Sequence, residues 1–146
     1  MSCPEHTATA LDAFVDGREV PAGALTTIGY QFVSLDPESG EVEVSFEAVA
    51  AFGNLMGNVQ GGFVAAMLDA ALATALMATM RADQVAPTLE LKVSYLRPVP
   101  LGRLVGRGRV VHRGGSIGFL AGELYDVEGG ALATATATVR ILQPRS

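Results

Sequence analysis

The chain has 146 residues, of which 49% are hydrophobic and 17% charged, below the roughly 25% charged residues of a typical globular domain. This composition excludes an intrinsically disordered chain, and the length predicts one domain over 1–146, with 1–24 as an N-terminal helical extension. The single cysteine, Cys3, cannot form an internal disulfide, and no secretory signal pattern is visible. We therefore expect a cytoplasmic protein.

The net charge of −5 is unevenly distributed along the chain. Residues 1–96 contain 3 basic and 12 acidic side chains, whereas residues 97–146 contain 7 basic and 3 acidic ones. Five of those arginines fall within 97–113, a stretch without an acidic residue. An acidic chain with one arginine cluster is a poor candidate for nucleic-acid binding, but arginines of this kind can hold the phosphates of a small ligand.

Hydropathy periodicity and turn residues predict one long helix among several strands. In chain order, the predicted elements are a weak helix at 7–20, strands at 26–35 and 41–49, a helix at 63–80, and strands at 88–96, 103–113, 117–127 and 131–142. A polar turn at 36–40 joins the first two strands, and Gly129-Gly130 turns the chain between the last two.

The segment 63–80 is the long helix candidate, and Asp69 is the sole charged residue between Glu47 and Arg81. A helix that is apolar all round must be buried on most sides. A membrane is a poor environment for it, because 7 of the 20 residues at 61–80 are alanine and Asp69 would lie charged near the middle. The sequence therefore predicts an α+β fold, with an antiparallel sheet of five to six strands wrapped around one long central helix.

A single copy of this fold would leave sheet edges and part of the helix uncovered, so we expect a homodimer that assembles into a tetramer. Alternation at 103–113 places arginines on one strand face and glycines on the other, where another backbone can approach closely. These residues are Arg103, Arg107, Arg109 and Arg113 against Gly106 and Gly108. The arginine face is interpreted as solvated or as a contact with a second dimer, and parity makes His112 a core histidine.

Three segments carry recognisable motifs. Residues 54–69 (NLMGNVQGGFVAAMLD) place an Asn, a Gly and a Gly-Gly pair ahead of a helix that bears an acid. Residues 89–98 (LELKVSYLRP) end in aromatic-x-Arg-Pro, and residues 111–119 (VHRGGSIGF) contain a glycine-rich turn. Over about 25–142 the chain resembles hotdog-fold acyl-CoA thioesterases of the phenylacetic-acid-degradation type, in the hydroxybenzoyl-CoA thioesterase superfamily. The resemblance implies the hotdog fold and hydrolysis of an acyl-CoA to free acid and coenzyme A, with no cofactor beyond the coenzyme A of the substrate.

The resemblance also implies roles for individual residues. Asp69 would be the general base or nucleophile, and the Gly61 amide would polarise the thioester carbonyl. Asn54 would help place the carbonyl or the water, and Thr88 would orient that water. The histidine that usually precedes Gly-Gly in this family is Gln60 here, whose amide can donate a hydrogen bond but cannot shuttle a proton.

Coenzyme A would lie beside the hairpin at 111–119, and arginines at strand ends are best placed to hold its phosphates. The implied coenzyme A-binding residues are Arg97, Arg113, Gly114 and Ser116. The mid-strand Arg107 and Arg109 are interpreted as structural. The acyl pocket is expected to take its walls from a second subunit and from Phe52, Leu55, Met56, Phe63 and Met67.

The helix itself argues for a site shared between two chains. Unpaired amides and a partial positive charge at a helix N-terminus suit a developing oxyanion, and Gly61 lets a carbonyl approach. Asp69 lies eight residues further on, about 12 Å along the axis at 1.5 Å per residue. The acid and the amide of one chain therefore cannot act on the same carbonyl, whereas those of two chains can.

Each candidate residue also has a structural interpretation. Asp69 could be a buried acid bonded to a neighbouring loop, and Gly61 with Gly62 could form a tight helix start capped by Asn58. Asn54 could be a turn residue. Thr88 could be a strand residue chosen for its β propensity.

Two other functions remain open. A hotdog hydratase or dehydratase acting on acyl thioesters would have the same fold but depend on a histidine near the helix start, where Gln60 stands. A non-catalytic acyl-CoA-binding protein or assembly subunit would tolerate that substitution. With only His6 and His112, no metal site is expected, and no nucleophile elbow or dinucleotide glycine motif is present.

Overall fold

The structure, a computed structural model, describes residues 7–17 and 23–144 of the chain. Its helices are α1 (Ala10–Val15), α2 (Gly23–Thr27) and α3 (Gly61–Met77), with a short 3-10 helix at Ala50–Phe52. Its strands are β1 (Gln31–Leu35), β2 (Val42–Ala48), β3 (Thr88–Tyr95), β4 (Gly102–Arg113), β5 (Ile117–Tyr125) and β6 (Ala131–Arg140). They form one antiparallel sheet in the order β1-β2-β4-β5-β6-β3.

The predicted fold class is confirmed, because this six-stranded antiparallel sheet packs against the single long helix α3. Seven apolar side chains of α3 are fully buried in the core: Val64, Met67, Leu68, Ala71, Leu72, Ala75 and Leu76. On the opposite face of the helix Ala66 and Ala73 are exposed, and Asp69 and Ala70 are half-buried. Burial on most sides, which the composition predicted, is therefore not reached within one chain.

Two glycines bring α3 close to the sheet. Gly108 of β4 pairs with Gly122 of β5, and both lie beneath the middle of α3. A Cβ atom at Gly108 would lie 2.9 Å from the Ala71 carbonyl carbon, and one at Gly122 would lie 2.8 Å from Cδ2 of Leu72. The predicted close approach of another backbone to the glycine face of this strand is confirmed, and that backbone belongs to α3.

The first predicted strand, 26–35, is wrong in its first half. Residues 23–27 form α2 instead, and the strand begins only at Gln31. The chain turns at Gly29, whose φ of 66° suits glycine, and Tyr30 N–H donates to the Leu25 carbonyl. Of the helix predicted at 7–20, Ala10–Val15 is present, whereas 18–20 lie outside the described residues.

The long helix begins two residues earlier than predicted and ends at Met77 rather than at residue 80. Its last turn tightens to a 3-10-type turn, because Thr79 N–H donates to the Leu76 carbonyl three residues back. The Met80 carbonyl accepts from Ala10 N–H of α1. The four later strands match their predicted ranges to within two residues. None of the helices in the described part of the chain is both long and apolar enough to cross a membrane. The cytoplasmic location stays a prediction.

The alternation of side chains along 103–113 predicted that His112 lies in the core, and this prediction is wrong. The register of β4 against β5 shifts after Val110, so that Val110 pairs with Leu120 and His112 pairs with Phe119. Val111 is the extra residue of this irregularity, and both it and His112 are exposed. A β-bulge reverses the alternation beyond it, and the alternation of side chains alone does not reveal one.

We predict that Gly108→Ala lowers the free energy of unfolding by about 1–3 kcal/mol, the usual cost of adding a methyl group where the core has no room. The added Cβ would press on the α3 backbone at Ala71 and Leu72. Denaturant unfolding of purified protein measures the change. Gly115→Ala is the matched control, because a Cβ there meets open space; equal losses in the two variants would contradict the close approach.

Candidate active site

The segment that leads into α3 is a closed loop held by backbone hydrogen bonds. Asn54 N–H donates to the Asn58 carbonyl at 2.7 Å, and Gln60 N–H donates to the Phe52 carbonyl at 2.8 Å. Val59 N–H reaches across to the Val99 carbonyl at 2.8 Å. These bonds fix the first turn of α3 relative to the segment that follows β3.

Asn54 builds this loop with its side chain. Its Oδ1 accepts from Met56 N–H at 2.9 Å and from Asn58 N–H at 3.1 Å. The turn interpretation of Asn54 is therefore correct as far as the carbonyl half of the amide is concerned. The Nδ2 half makes no hydrogen bond to another described residue and is available to a ligand.

Gln60, and not Asn58 as predicted, caps α3. Its Oε1 accepts from Gly62 N–H at 2.7 Å, and its backbone carbonyl accepts from Phe63 N–H at 3.0 Å. Asn58 is instead engaged inside the preceding loop, two residues too early to reach the first free amides of the helix. The Gly61 N–H has no acceptor among the described residues, as expected for the first amide of a helix.

Tyr95 is a site residue that sequence reasoning missed. Its hydroxyl donates to the Gly61 carbonyl at 2.6 Å, which ties the end of β3 to the start of α3. A Cβ atom at Gly61 would lie 3.1 Å from the Tyr95 hydroxyl oxygen, so glycine is needed there for contact as well as for ligand access. Strand alternation placed Tyr95 only on the apolar side of its strand, and nothing in the sequence pairs it with a residue 34 positions away.

A cavity of about 380 Å³ opens at this end of the molecule. Asn54 and Gly61 line it together with Tyr95 and Arg97. Asn54 and Gly61, two of the residues implied by the family resemblance, are therefore brought together, whereas Gln60 does not line this cavity. Among the described residues, no carboxylate lines this cavity, and its lining includes the donor groups of Asn54, Tyr95 and Arg97.

Asp69 and Thr88 meet elsewhere on the molecule. Thr88 Oγ1, at the start of β3, donates to Asp69 Oδ1 at 2.9 Å. Asp69 is half-buried and lines a separate cavity of about 400 Å³ between α2 and α3. The carboxylate and the Gly61 amide of one chain thus open into different cavities.

The two arginines implied for coenzyme A lie far apart. Arg97 lines the cavity at the helix start, where its Nε donates to the Ala131 carbonyl at 3.0 Å and its Nη2 lies 3.5 Å from Asp126. A hydrogen bond from Gly130 N–H is the main reason that the pKa of Asp126 lies below its usual range, which keeps this carboxylate charged beside Arg97.

Arg113 lies at the other end of α3. Its Nε donates to Thr79 Oγ1 at 3.2 Å and its Nη1 to the Gly114 carbonyl at 3.0 Å. Gly114 N–H bonds to the Ile117 carbonyl and the Ser116 carbonyl accepts from Ile141 N–H, both at 2.8 Å, so this hairpin is well fixed. One chain therefore carries two separate basic positions, one near each end of the helix.

The mid-strand arginines are structural, as predicted. Arg109 Nη1 donates to both carboxylate oxygens of Glu123 at 3.0 Å. Arg107 Nε lies 3.2 Å from Glu43, and its guanidinium lies over the Tyr125 ring at 5.1 Å. These pairs engage both guanidinium groups on the outer face of the sheet.

The expected pocket walls need correction at two residues. Met67 is completely buried in the core and faces the sheet, so it cannot line a pocket on the open side of α3. Phe52 is also buried, stacked on Phe63 at 4.1 Å, and only Phe63 of this pair lines a cavity. Leu55 and Met56 are exposed on the loop, and Met56 lines the cavity at the helix start, as expected. Within the described residues, no group of three or more His, Cys, Asp and Glu side chains could hold a metal ion.

Comparison with known proteins agrees with the resemblance. Residues 56–133 match the sequence profile of the thioesterase superfamily. A phenylacetic acid degradation-related protein from Ralstonia eutropha JMP134 is 36% identical with a TM-score of 0.85, over 90% of this chain and 98% of that one. A thioesterase family protein from Silicibacter pomeroyi is 27% identical with a TM-score of 0.81, over 91% and 98% of the two chains.

A third structure was solved with a ligand. Protein smu.793 from Streptococcus mutans UA159, bound to acetyl CoA, is 25% identical with a TM-score of 0.69, over 80% of this chain and 91% of that one. No curated protein matches the chain at a significant level. The architecture and these similarities define a hotdog-fold thioester hydrolase. The chain belongs to the thioesterase superfamily, whose profile covers more than half of it.

We predict that Tyr95→Phe lowers the free energy of unfolding by about 1 kcal/mol, the usual net contribution of one hydrogen bond. The variant keeps the ring over Gly61 and removes only the bond to its carbonyl. Tyr125→Phe is the control, because the Tyr125 ring lies under Arg107 and its hydroxyl bonds to no other described residue. Chemical denaturation measures both, and an unchanged Tyr95→Phe would mean that this bond does not fix the helix start.

Proposed function

We propose that the protein hydrolyses an acyl-CoA thioester to free acid and coenzyme A, at a site shared between two subunits of a homodimer. The observation that carries this proposal is the separation of two chemical groups on one helix. Asp69 and the Gly61 amide lie eight residues apart, about 12 Å along α3, and open into different cavities. A carbonyl under attack must lie about 3 Å from both its oxyanion donor and its nucleophile, so each chain supplies one half.

The edge of the sheet supports a second copy as the partner. β3 pairs with β6 on one side only, so its other side presents unpaired backbone groups. Leu89, Tyr95 and Leu96 along this strand and its end are each more than half exposed. Pairing of two β3 edges would cover these side chains and bring the acid of one helix towards the start of the other. Two such dimers would form the tetramer expected from the sequence, through the outer face of the sheet that bears the arginines.

Within this shared site the residues of the helix start stabilise the oxyanion. The Gly61 N–H points from the positive end of the α3 dipole and has no protein acceptor among the described residues. Gln60 uses Oε1 to cap the helix, which leaves its Nε2 as a donor for the thioester carbonyl or the water. Asn54, held through Oδ1, offers its Nδ2 in the same way.

The acid from the partner subunit completes the reaction. Asp69 acts as general base for a water molecule or as the nucleophile itself, and Thr88 Oγ1 holds one of its carboxylate oxygens in place. Loss of the thiolate from the tetrahedral intermediate then releases coenzyme A. With a water nucleophile the acid is free at this point, whereas with Asp69 as nucleophile a water molecule must then hydrolyse the acyl-aspartate anhydride. Because Arg97 and Arg113 lie near opposite ends of α3, Arg97 of one subunit and Arg113, Gly114 and Ser116 of the other hold the nucleotide end of that leaving group. The acetyl CoA bound to protein smu.793 supports a ligand of this type. The reaction needs no cofactor beyond the coenzyme A of the substrate.

Release of free thiol from a panel of acyl-CoAs tests the reaction. We expect hydrolysis by the wild type and a fall in kcat of about 10²–10⁴-fold in Asp69→Asn, the usual contribution of a positioned base. Size-exclusion chromatography must show the same oligomer for both proteins. A hydratase would consume an enoyl-CoA without releasing thiol, and a binding protein would show saturable affinity without turnover; either result contradicts the proposal.

Complementation between two inactive variants tests the sharing of the site. Asp69→Asn removes the acid, and Gly61→Pro removes the amide N–H. Proline is well tolerated at the first helical position, and the Gln60 ψ of 138° suits a residue before proline. In a heterodimer of the two, one of the two sites keeps an intact acid and an intact amide. Heterodimers isolated with two affinity tags should therefore regain about half of the wild-type rate.

The control for the proline variant is Gly61→Ala, which presses on Tyr95 in a similar way but keeps the N–H. It should retain more activity than Gly61→Pro. If the heterodimers stay as inactive as their parents, each chain must hold a complete site of its own, and the shared arrangement is wrong.

A further inference from the structure

An apolar groove runs between α2 and α3 on the face of α3 that the sheet does not cover. Its volume is about 400 Å³, within the range of small-molecule sites. The floor is formed by the α3 side chains Ala66, Ala70 and Ala73, and the far wall by Leu25 and Ile28. The polar side chains on its lining are Thr27 and Asp69. We call this cavity the acyl groove.

The acyl groove continues past Ala73. A second cavity, of about 250 Å³, follows α3 towards its C-terminal end and shares Ala73 with the first. Its lining is mostly apolar, including Leu76, Met77 and Met80. Gln84 also lines it, but both halves of this amide are already bonded: Oε1 accepts from Arg81 N–H at 3.0 Å and Nε2 donates to Gln143 at 2.9 Å.

The chemistry of the lining selects the ligand. Asp69 lines the first cavity, and the other side chains that line the two cavities are apolar except for Thr27 and Gln84. A hydroxylated or charged acyl group would bury polar atoms without partners, at a cost of several kcal/mol. A groove with α3 as its floor and α2 as a wall suits a narrow apolar chain that starts at Asp69.

We propose that the acyl groove holds the unbranched apolar chain of the substrate acyl group, and that Ala73 decides how long that chain can be. The proposal rests on the proposed thioesterase function, because it takes Asp69 as the group next to the reacting carbonyl. A short acyl group ends before Ala73, whereas a longer chain passes over its methyl group into the second cavity. Ala73 is exposed and lines both cavities, so a larger side chain there closes the passage without disturbing the core.

The experiment compares binding of thioether analogues of acetyl-, hexanoyl- and dodecanoyl-CoA, which cannot be hydrolysed, by isothermal titration calorimetry. The wild type should bind the analogues more tightly as the chain lengthens. Ala73→Leu should weaken binding of the dodecanoyl analogue by about tenfold or more, the discrimination that pocket walls achieve against added methylene groups. Binding of the acetyl analogue should not change.

Two further variants serve as controls. Ala73→Ser keeps the volume of the passage and should keep the wild-type order of affinities. Ala78→Leu adds the same bulk beside a different cavity, of about 280 Å³, next to the β1–β2 turn, and should leave all three affinities unchanged. Leucine is as good a helix former as most residues, so Ala73→Leu is expected to fold, and circular dichroism verifies it.

Binding and turnover separate the two proposals. In one outcome, binding becomes tighter with chain length, Ala73→Leu abolishes this dependence, and the protein releases no thiol. That outcome would support the acyl groove and contradict the thioesterase function. In the other outcome, the protein hydrolyses acyl-CoA, but Ala73→Leu leaves the three affinities unchanged or weakens them equally. That outcome would overturn the acyl groove.

Discussion

The position of α3 depends on how closely its backbone can approach the sheet at Gly108 and Gly122. These glycines pair across β4 and β5 directly beneath Ala71 and Leu72, and no side chain other than hydrogen fits between them and the helix. The contact lies in the middle of α3, with Gly61 at one end of the helix and the Thr79–Arg113 bond just past the other. Close packing at this point therefore sets where both ends of the helix, and every group they carry, stand relative to the strands.

A helix held in this way acts as a rigid spacer between its functional groups. Gly61 is locked at its start by the Gln60 cap and the Tyr95 hydroxyl, and Asp69 is locked at its middle by Thr88. Of these anchors, Tyr95 and Thr88 both belong to β3, the strand at the edge of the sheet. Under the proposed function, the strand that positions both halves of the site is also the strand that a second copy would pair with, so that dimerisation would align the site.

Local patterns in the sequence were sufficient for most of the fold. Alternation along β2, β3 and β6, and the apolar run of α3, each reflect the burial of a single element and can be read without knowing its neighbours. Features that depend on two distant segments could not be read in this way. α2 is too short to show a period, and the irregularity at Val111 changes the face of His112 without any residue type that marks it. The sequence motifs named the candidate site residues, but not the bond from Tyr95 to Gly61, nor the separation of Arg97 from Arg113.

Gln60 shows how a change in one side chain restricts the chemistry that the fold can perform. Its Oε1 is committed to the Gly62 N–H, so the amide offers a ligand only the two hydrogens of Nε2. It can stabilise negative charge but cannot take up or return a proton. Under the proposed function, all proton transfer then falls to Asp69, because the cavity that contains Gly61 is lined by no carboxylate and no histidine among the described residues. A site with one proton-transferring group is better suited to hydrolysis, in which one base activates the attacking water, than to hydration of a double bond. Hydration also requires delivery of a proton to carbon.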